Sequence, residues 1–149
     1  MGSQSDYRIM KDCEKILKIL KIKFETKIIS AHRTPARMFD FAKSVKKNKF
    51  ASIIAGAGGS AHLPGMIASL TTIPVIGVPI ETKKLKGLDS LLSICQMPSG
   101  VPVATVAIEG ALNAGLLAAA IIGTFDEKVK KNLDKWRRLQ TKSVKKKPK

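Results

Sequence analysis

The sequence predicts a three-layer α/β domain, a doubly wound parallel sheet between two layers of helices, with one further helix at the C-terminus. Three observations carry this reading. Apolar runs of strand length alternate with stretches whose apolar residues recur every three or four positions. Strand-helix alternation of this kind implies parallel pairing through helical crossovers. Finally, 149 residues with 44% hydrophobic content suffice for one domain with one core.

In chain order, Met1 to Asp6 is rich in turn formers, and Asp6 is placed to cap the segment after it. From Tyr7 to Ile22, Ile9, Met10, Cys13, Ile16, Leu17 and Leu20 form an apolar stripe between lysines, the pattern of an amphipathic helix. Phe24 to Ile29 reads as a strand. Pro35 at a first helical position, with Thr34 as cap, opens a helix through Met38, Phe39, Phe41, Ala42 and Val45. Ala51 to Ala55 is the next strand, His62 to Thr71 a helix, and Pro74 to Val78 another apolar strand. A polar, basic stretch at Glu81 to Lys86 leads to a short helical pattern at Leu88, Leu91, Leu92 and Ile94. Val101 to Ile108 reads as the last strand. Glu109 to Gly123 is helical and apolar almost all round, the pattern of a deeply buried helix or a subunit interface. Asp126 to Leu139 is amphipathic, and Thr141 to Lys149 is a lysine-rich tail expected to be disordered.

Composition narrows the function classes. With 27 Lys+Arg against 11 Asp+Glu, the net charge of +16 raises the question of nucleic acid. The lysines are spread over helix faces and the tail, aromatic content is 5%, and no groove-reading or stacking motif accompanies them. Solvated faces account for them, and nucleic acid is not the expected partner. The apolar stretch Ala111 to Ile122 is interrupted by Asn113 and falls short of the roughly 20 residues of a membrane span. No signal peptide is evident, so a soluble cytoplasmic protein is expected. Cys13 and Cys95 lack CxxC or metal-ligand spacing and read as a reduced, buried pair of thiols.

The stretch Ser52 to Met66 is the centre of the functional reading. A buried strand breaks there into Gly56, Ala57, Gly58, Gly59 and Ser60 and enters a helix. Glycines allow close backbone approach, and free N–H groups at a helix start favour phosphate or carboxylate. His62 lies on this loop. The only other histidine, His32, lies with Ser30 and Arg33 on the loop before the Pro35 helix. In open parallel sheets ligands bind at the carboxyl ends of strands, where both loops fall. A lone loop histidine is ordinarily without function, and Ser3, Ser5 and Asp6 could be no more than helix caps. Two such loops carrying both histidines favour instead one anion-binding catalytic site, completed by Gly2 to Asp6.

Four motifs in order then make a resemblance specific: Gly-Ser-x-Ser-Asp at Gly2 to Asp6, Ser-Ala-His-Arg-Thr-Pro at Ser30 to Pro35, Ala-Gly-Ala-Gly-Gly-x-Ala-His-Leu-Pro-Gly-Met at Ala55 to Met66, and Gln-Met-Pro-x-Gly at Gln96 to Gly100. The chain resembles the N(5)-carboxyaminoimidazole ribonucleotide mutases of purine biosynthesis, over nearly everything from Met1 to about Gln140. The resemblance implies a flavodoxin-like fold, one mutase domain over 1–141 with a basic tail at 142–149, a homo-octamer, a small-molecule ribonucleotide substrate, and no metal or organic cofactor. It implies His32 as the residue that moves protons and His62 as a supporting histidine. Ser3, Ser5, Ser30 and Arg33 match phosphate-binding positions, and Asp6 matches a ribose-hydroxyl contact. Backbone at Gly56 to Ser60 would approach the migrating carboxylate. Arg33-Thr34-Pro35 resembles the mutase class, whereas lysine after the histidine resembles enzymes that carboxylate aminoimidazole ribonucleotide directly. Direct carboxylation is thus the alternative activity, and a non-catalytic nucleotide- or nucleic-acid-binding module the alternative class. Members of the family carry a hydrophobic strand just before the first motif, and Met1 stands at its last position. The expectation is that the sequence begins downstream of the true start, or that the protein is unstable as written.

Overall fold

Burial on both faces decides how the sheet is used. Val75–Ile80 is buried at every position, as parallel strands covered by helices on both sides are. The computed structural model describes residues 1–147. In chain order it contains a 3₁₀ turn at Gln4–Asp6, then α1 (Tyr7–Ile19), α2 (Pro35–Lys47), β1 (Ile53–Gly58), α3 (Leu63–Ala68), β2 (Val75–Ile80), α4 (Leu88–Cys95), β3 (Ala104–Thr105), α5 (Ala111–Ile122) and α6 (Glu127–Ser143). The strands are parallel in the order β1-β2-β3, with Ala55 opposite Gly77 and Gly77 opposite Thr105.

Alternate residues of the strands feed two cores. Ile53, Ala55 and Ala57 of β1 meet Met38 and Val45 of α2, Leu63 and Ile67 of α3 and Ile94 of α4. Ile76, Val78 and Ile80 of β2 meet Met10, Cys13 and Leu17 of α1 and Ala111, Ala114 and Ala118 of α5. Val129 and Leu133 of α6 pack on Ile16, Leu20 and Ala119 at the far side of that layer. The three-layer α/β class predicted from the strand-helix alternation is what forms, as does the flavodoxin-like fold that the family resemblance implies. Among the described residues no helix is long and apolar enough to cross a membrane.

Several boundaries differ from those the spacing predicts, each for a local reason. α1 stops at Ile19, because Lys21 takes the left-handed conformation (φ 59°) and the Ile22 amide turns back to the Leu17 carbonyl at 2.9 Å. α2 ends in the same motif, with Lys49 at φ 58° and Phe50 N–H donating to the Val45 carbonyl. Lysine thus fills a position that glycine usually takes at helix ends. Glu109, expected within a helix, is left-handed as well (φ 59°), and α5 begins only at Ala111. Asp126 caps α6 by accepting from the amides of Lys128 and Val129 at 2.9 and 3.1 Å. That helix runs on to Ser143, past the expected end at Leu139 and into the stretch read as tail; Pro148 and Lys149 lie outside the described residues.

The largest departures concern strands. The stretch Val101 to Ile108 contributes only Ala104–Thr105 to the sheet. Phe24 to Ile29 forms no strand of the sheet. A strand needs a paired neighbour along its length, and this segment meets one only at its end. The Met1 amino group donates to the Lys27 carbonyl at 3.0 Å, the Ile29 amide donates to the Met1 carbonyl at 2.8 Å, and Gly2 N–H donates to Gly56 on β1 at 3.0 Å.

The two thiols are not alike. Cys13 is buried, as expected, but Cys95 at the end of α4 is exposed, which corrects the expectation of a buried pair. Burial, with the charge of Glu14 adding to it, pushes the Cys13 thiol up to about 12. The thiolate is the nucleophile, so at pH 8 only about one Cys13 in ten thousand is reactive. Iodoacetamide at pH 8 should therefore label Cys95 alone in the native protein and both cysteines in urea, as read by peptide mass. Equal labelling of Cys13 in the native state would contradict this burial.

Candidate active site

The carboxyl edge of the sheet opens into a cleft of about 540 Å³ whose lining includes Ser3, Ser5, Asp6, Ser30, His32, Arg33, Ala57, Gly58, Ser60 and His62. Three separate loops, each leading into a helix, thus converge as the motif spacing implied. Gly56 and Gly59 are the exceptions and do not line it. Gly56 is buried inside β1, where a Cβ would press on the Met10 thioether. Gly59, at φ 68°, makes the turn that brings the chain out of β1.

The two histidines meet. His32 Nε2 and His62 Nδ1 are 2.9 Å apart, with the rings edge to face at 87°. A hydrogen bond between ring nitrogens needs one N–H and one lone pair, so the pair shares a proton between them. His62 is set by the start of α3: its own amide donates to the Ser60 carbonyl at 2.8 Å, and its carbonyl accepts from Met66. His32 is set by the Ser30–Thr34 turn. Thr34, expected as a helix cap, uses its hydroxyl instead to accept from the Ser30 amide and donate to the Ser30 carbonyl, both at 2.9 Å. The turn is therefore closed by its own residues before α2 begins.

Hydroxyl, guanidinium and carboxylate groups line the same cleft. Ser30 Oγ accepts from the Arg33 amide at 3.2 Å and from Arg33 Nε at 3.4 Å, which leaves its own O–H to donate into the cleft. Ser3 and Ser5 hydroxyls lie 2.6 Å apart. Among the described residues Arg33 has no carboxylate partner, whereas Arg8, which the sequence did not single out, is held by Glu109 at 2.8 Å. Arg33 is thus the uncompensated cation of the cleft. Asp6 is not the simple cap foreseen: it is 7% exposed and reaches back to accept from the Ser3 amide at 2.9 Å through Oδ2. Its Oδ1 has only a long contact with Ser5 Oγ, 3.4 Å, and remains free to accept a hydroxyl.

The glycine loop has an anchor that the sequence did not disclose. Ser90 of α4, 0% exposed, accepts from the Gly59 amide at 2.8 Å and donates to the Ile80 carbonyl at 2.7 Å. The available signal was weak, a serine four residues before buried Ile94 on a helix that also carries Asp89 and Ser93. Ser90→Ala removes the partner of the buried Ile80 carbonyl and of the part-buried Gly59 amide and should cost about 1–3 kcal/mol in urea unfolding. Because the loop it holds carries Ala57 to Ser60, KM should rise in the same variant. An unchanged KM would confine Ser90 to a purely structural role. Thr82 and Glu81 at the end of β2 also line the cleft unannounced, and Thr82 is oriented by Asp89 at 3.0 and 3.1 Å.

A parallel α/β sheet with a shared-proton histidine pair and hydroxyl, guanidinium and carboxylate groups at its carboxyl edge defines a small acid–base enzyme. The model of the family described as AIR carboxylase matches residues 1–143. The chain is 55% identical to the N5-carboxyaminoimidazole ribonucleotide mutase of Brucella melitensis biotype 1, covering 99% of this chain and 93% of that one. It is 61% identical to the Thermotoga maritima protein of the same name over 83% of this chain and 72% of the other. The crystal structure of Treponema denticola PurE superposes with a TM-score of 0.85 at 27% identity, over 95% of this chain and 89% of that one. The chain belongs to the AIR carboxylase family.

Proposed function

We propose that the chain is a mutase of de novo purine biosynthesis that moves a carboxylate from the exocyclic nitrogen of N5-carboxyaminoimidazole ribonucleotide to ring carbon 4. The observation that carries this reading is the 2.9 Å contact between His32 and His62 in the cleft that Ala57, Gly58 and Ser60 also line. The reaction needs one proton delivered and one removed. As the carbamate C–N bond breaks, its electron pair stays on nitrogen, which takes a proton from His32, and carbon dioxide is released. The enamine carbon of the aminoimidazole then attacks carbon dioxide, forming the new C–C bond. The proton left on that ring carbon returns to His32, which restores the aromatic ring. Imidazole suits both transfers, because its two forms are both accessible near neutral pH.

The remaining groups divide the substrate between them. Ser3, Ser5, Ser30 and Arg33 take the phosphate, and Asp6 Oδ1 accepts a ribose hydroxyl. Backbone at Ala57, Gly58 and Ser60 faces the carboxylate and retains carbon dioxide between the two steps. His62 holds the tautomer of His32. The chain works in the cytoplasm as a homo-oligomer, an octamer in this reading. Leu112 and Leu117 on α5, 42% and 36% exposed, support a subunit contact.

Turnover of N5-carboxyaminoimidazole ribonucleotide in buffer depleted of bicarbonate tests the reading. Conversion without added bicarbonate supports it. Conversion of aminoimidazole ribonucleotide only when bicarbonate is supplied would replace it with direct carboxylation, and no conversion of either by the folded protein would reject both.

A further inference from the structure

Arg8 is a cleft cation that the chemistry above leaves without a task. It lines the cleft from the first turn of α1, three residues past Ser5, and positions three apart on a helical path share a face. Its Nη2 donates to Glu109 Oε1 at 2.8 Å, across 101 positions of sequence. The other ion pairs among the described residues join partners only two to four positions apart. Exposed pairs add little to stability. With the Arg8 side chain 59% exposed, this pair holds Arg8 in place rather than holding the fold together.

The carboxylate that holds Arg8 sits on a strained backbone. Glu109 is left-handed at φ 59°, where a residue other than glycine is uncommon. Three hydrogen bonds keep it there: its amide donates to the Pro79 carbonyl at 2.8 Å, its carbonyl accepts from the Ala111 amide at 2.9 Å, and Gly110 N–H donates to the Ala107 carbonyl at 2.8 Å. Backbone strain of this kind collects at functional sites. Glu109 itself is not part of the cleft lining. It therefore grips Arg8 from outside, through one of the five N–H donors, and leaves the rest of the guanidinium to the cleft.

Charge gives the grip a purpose. Asp6 and Glu81 place two carboxylates in the lining, against Arg33. With Arg33 alone the lining is net negative, whereas a phosphate monoester near neutral pH carries a charge of about −1.5 to −2. Arg8 brings the lining to balance. Resting on the ribonucleotide reading above, we propose that Arg8 is a second cation for the substrate phosphate, acting with Arg33 and the Ser3 and Ser5 hydroxyls, and that Glu109 is its positioning residue. A guanidinium that is already held loses less side-chain freedom when the phosphate arrives. Its bonds to the dianion are charge-assisted on both sides, the strong kind.

The test reads binding rather than turnover. Calorimetry gives the Kd of aminoimidazole ribonucleotide for the parent chain, Arg8→Gln, Arg8→Lys and Glu109→Ala, and a ³¹P titration gives the second pKa of the bound phosphate. Arg8→Gln should weaken binding by roughly ten-fold or more. Arg8→Lys should recover part of that loss, and Glu109→Ala should lose less, about two- to five-fold. The second phosphate pKa should rise in Arg8→Gln, because a nearby cation favours the dianion. Thermal unfolding of the variants should match the parent. Unchanged Kd or an unchanged ³¹P titration in Arg8→Gln would overturn the proposal. Tighter binding by Glu109→Ala would make Glu109 a competitor for Arg8 and overturn its positioning role. A parent that binds the ribonucleotide with these variant effects, yet turns over nothing, would reject the mutase reading and still support Arg8 at the phosphate; a parent that does not bind it would overturn both.

Discussion

His32→Asn should lower kcat on N5-carboxyaminoimidazole ribonucleotide by roughly 10²- to 10⁴-fold, the usual worth of a positioned general acid–base. Asparagine keeps a hydrogen-bonding amide at about the place of the ring but cannot carry a proton between nitrogen and carbon. Because His32 is exposed at the cleft, circular dichroism and thermal unfolding should match the parent. The partner gives the sharper result. His62→Asn removes only the group that fixes the His32 tautomer, so its loss should be smaller, below about 10²-fold. Equal losses in the two variants, with no further loss in the double variant, would mean that the pair acts as one unit. Steady-state kinetics on the three variants decide between these assignments. If His32→Asn retained parental kcat, the proton transfers would have to be assigned to another group.

Gly77→Val should destabilise the fold by about 1–3 kcal/mol, the typical cost of overpacking a filled core. Gly77 lies in the central strand between Ala55 and Thr105. A Cβ there would run into Cγ2 of Ile94 and come within 3.1 Å of Val103 Cγ1. Ile94, a branched side chain on α4, is 0% exposed and cannot swing away, and partly buried Val103 packs against the same core. Gly56→Ala is the informative contrast. Its Cβ meets only the Met10 side chain, whose unbranched thioether can choose another rotamer, and the cost should be clearly smaller. Urea unfolding of the two variants measures the difference. A Gly56 variant as unstable as the Gly77 variant would show that the α1 layer cannot yield.

Sequence alone determined the class of fold, because hydrophobic periodicity is a local property and the strand-helix alternation admits few arrangements other than a parallel sheet. It also assigned the three loops that line the candidate cleft to one edge. Gly2 to Asp6, Ser30 to Pro35 and Ala55 to Met66 each read as a loop entering a helix, and loops at one sheet edge must converge. What the tertiary structure decided is everything that depends on a neighbour distant in sequence. Gly56 and Ser60 look equally like ligand-facing loop residues, yet the pleat of β1 turns Gly56 toward Met10, while Ser60, past the turn at Gly59, lines the cleft. Ser90 looks like a helix-surface serine, and only the fold brings it to Gly59, 31 residues away. Phe24 to Ile29 has strand composition, but pairing is supplied by another part of the chain, and beside it stands a cavity rather than a partner. The hydrogen bond between His32 and His62 is of the same kind. Two loops can be assigned to one edge by topology, but ring-to-ring contact at 2.9 Å requires the turns at Ser30 and Ser60 to be fixed in space.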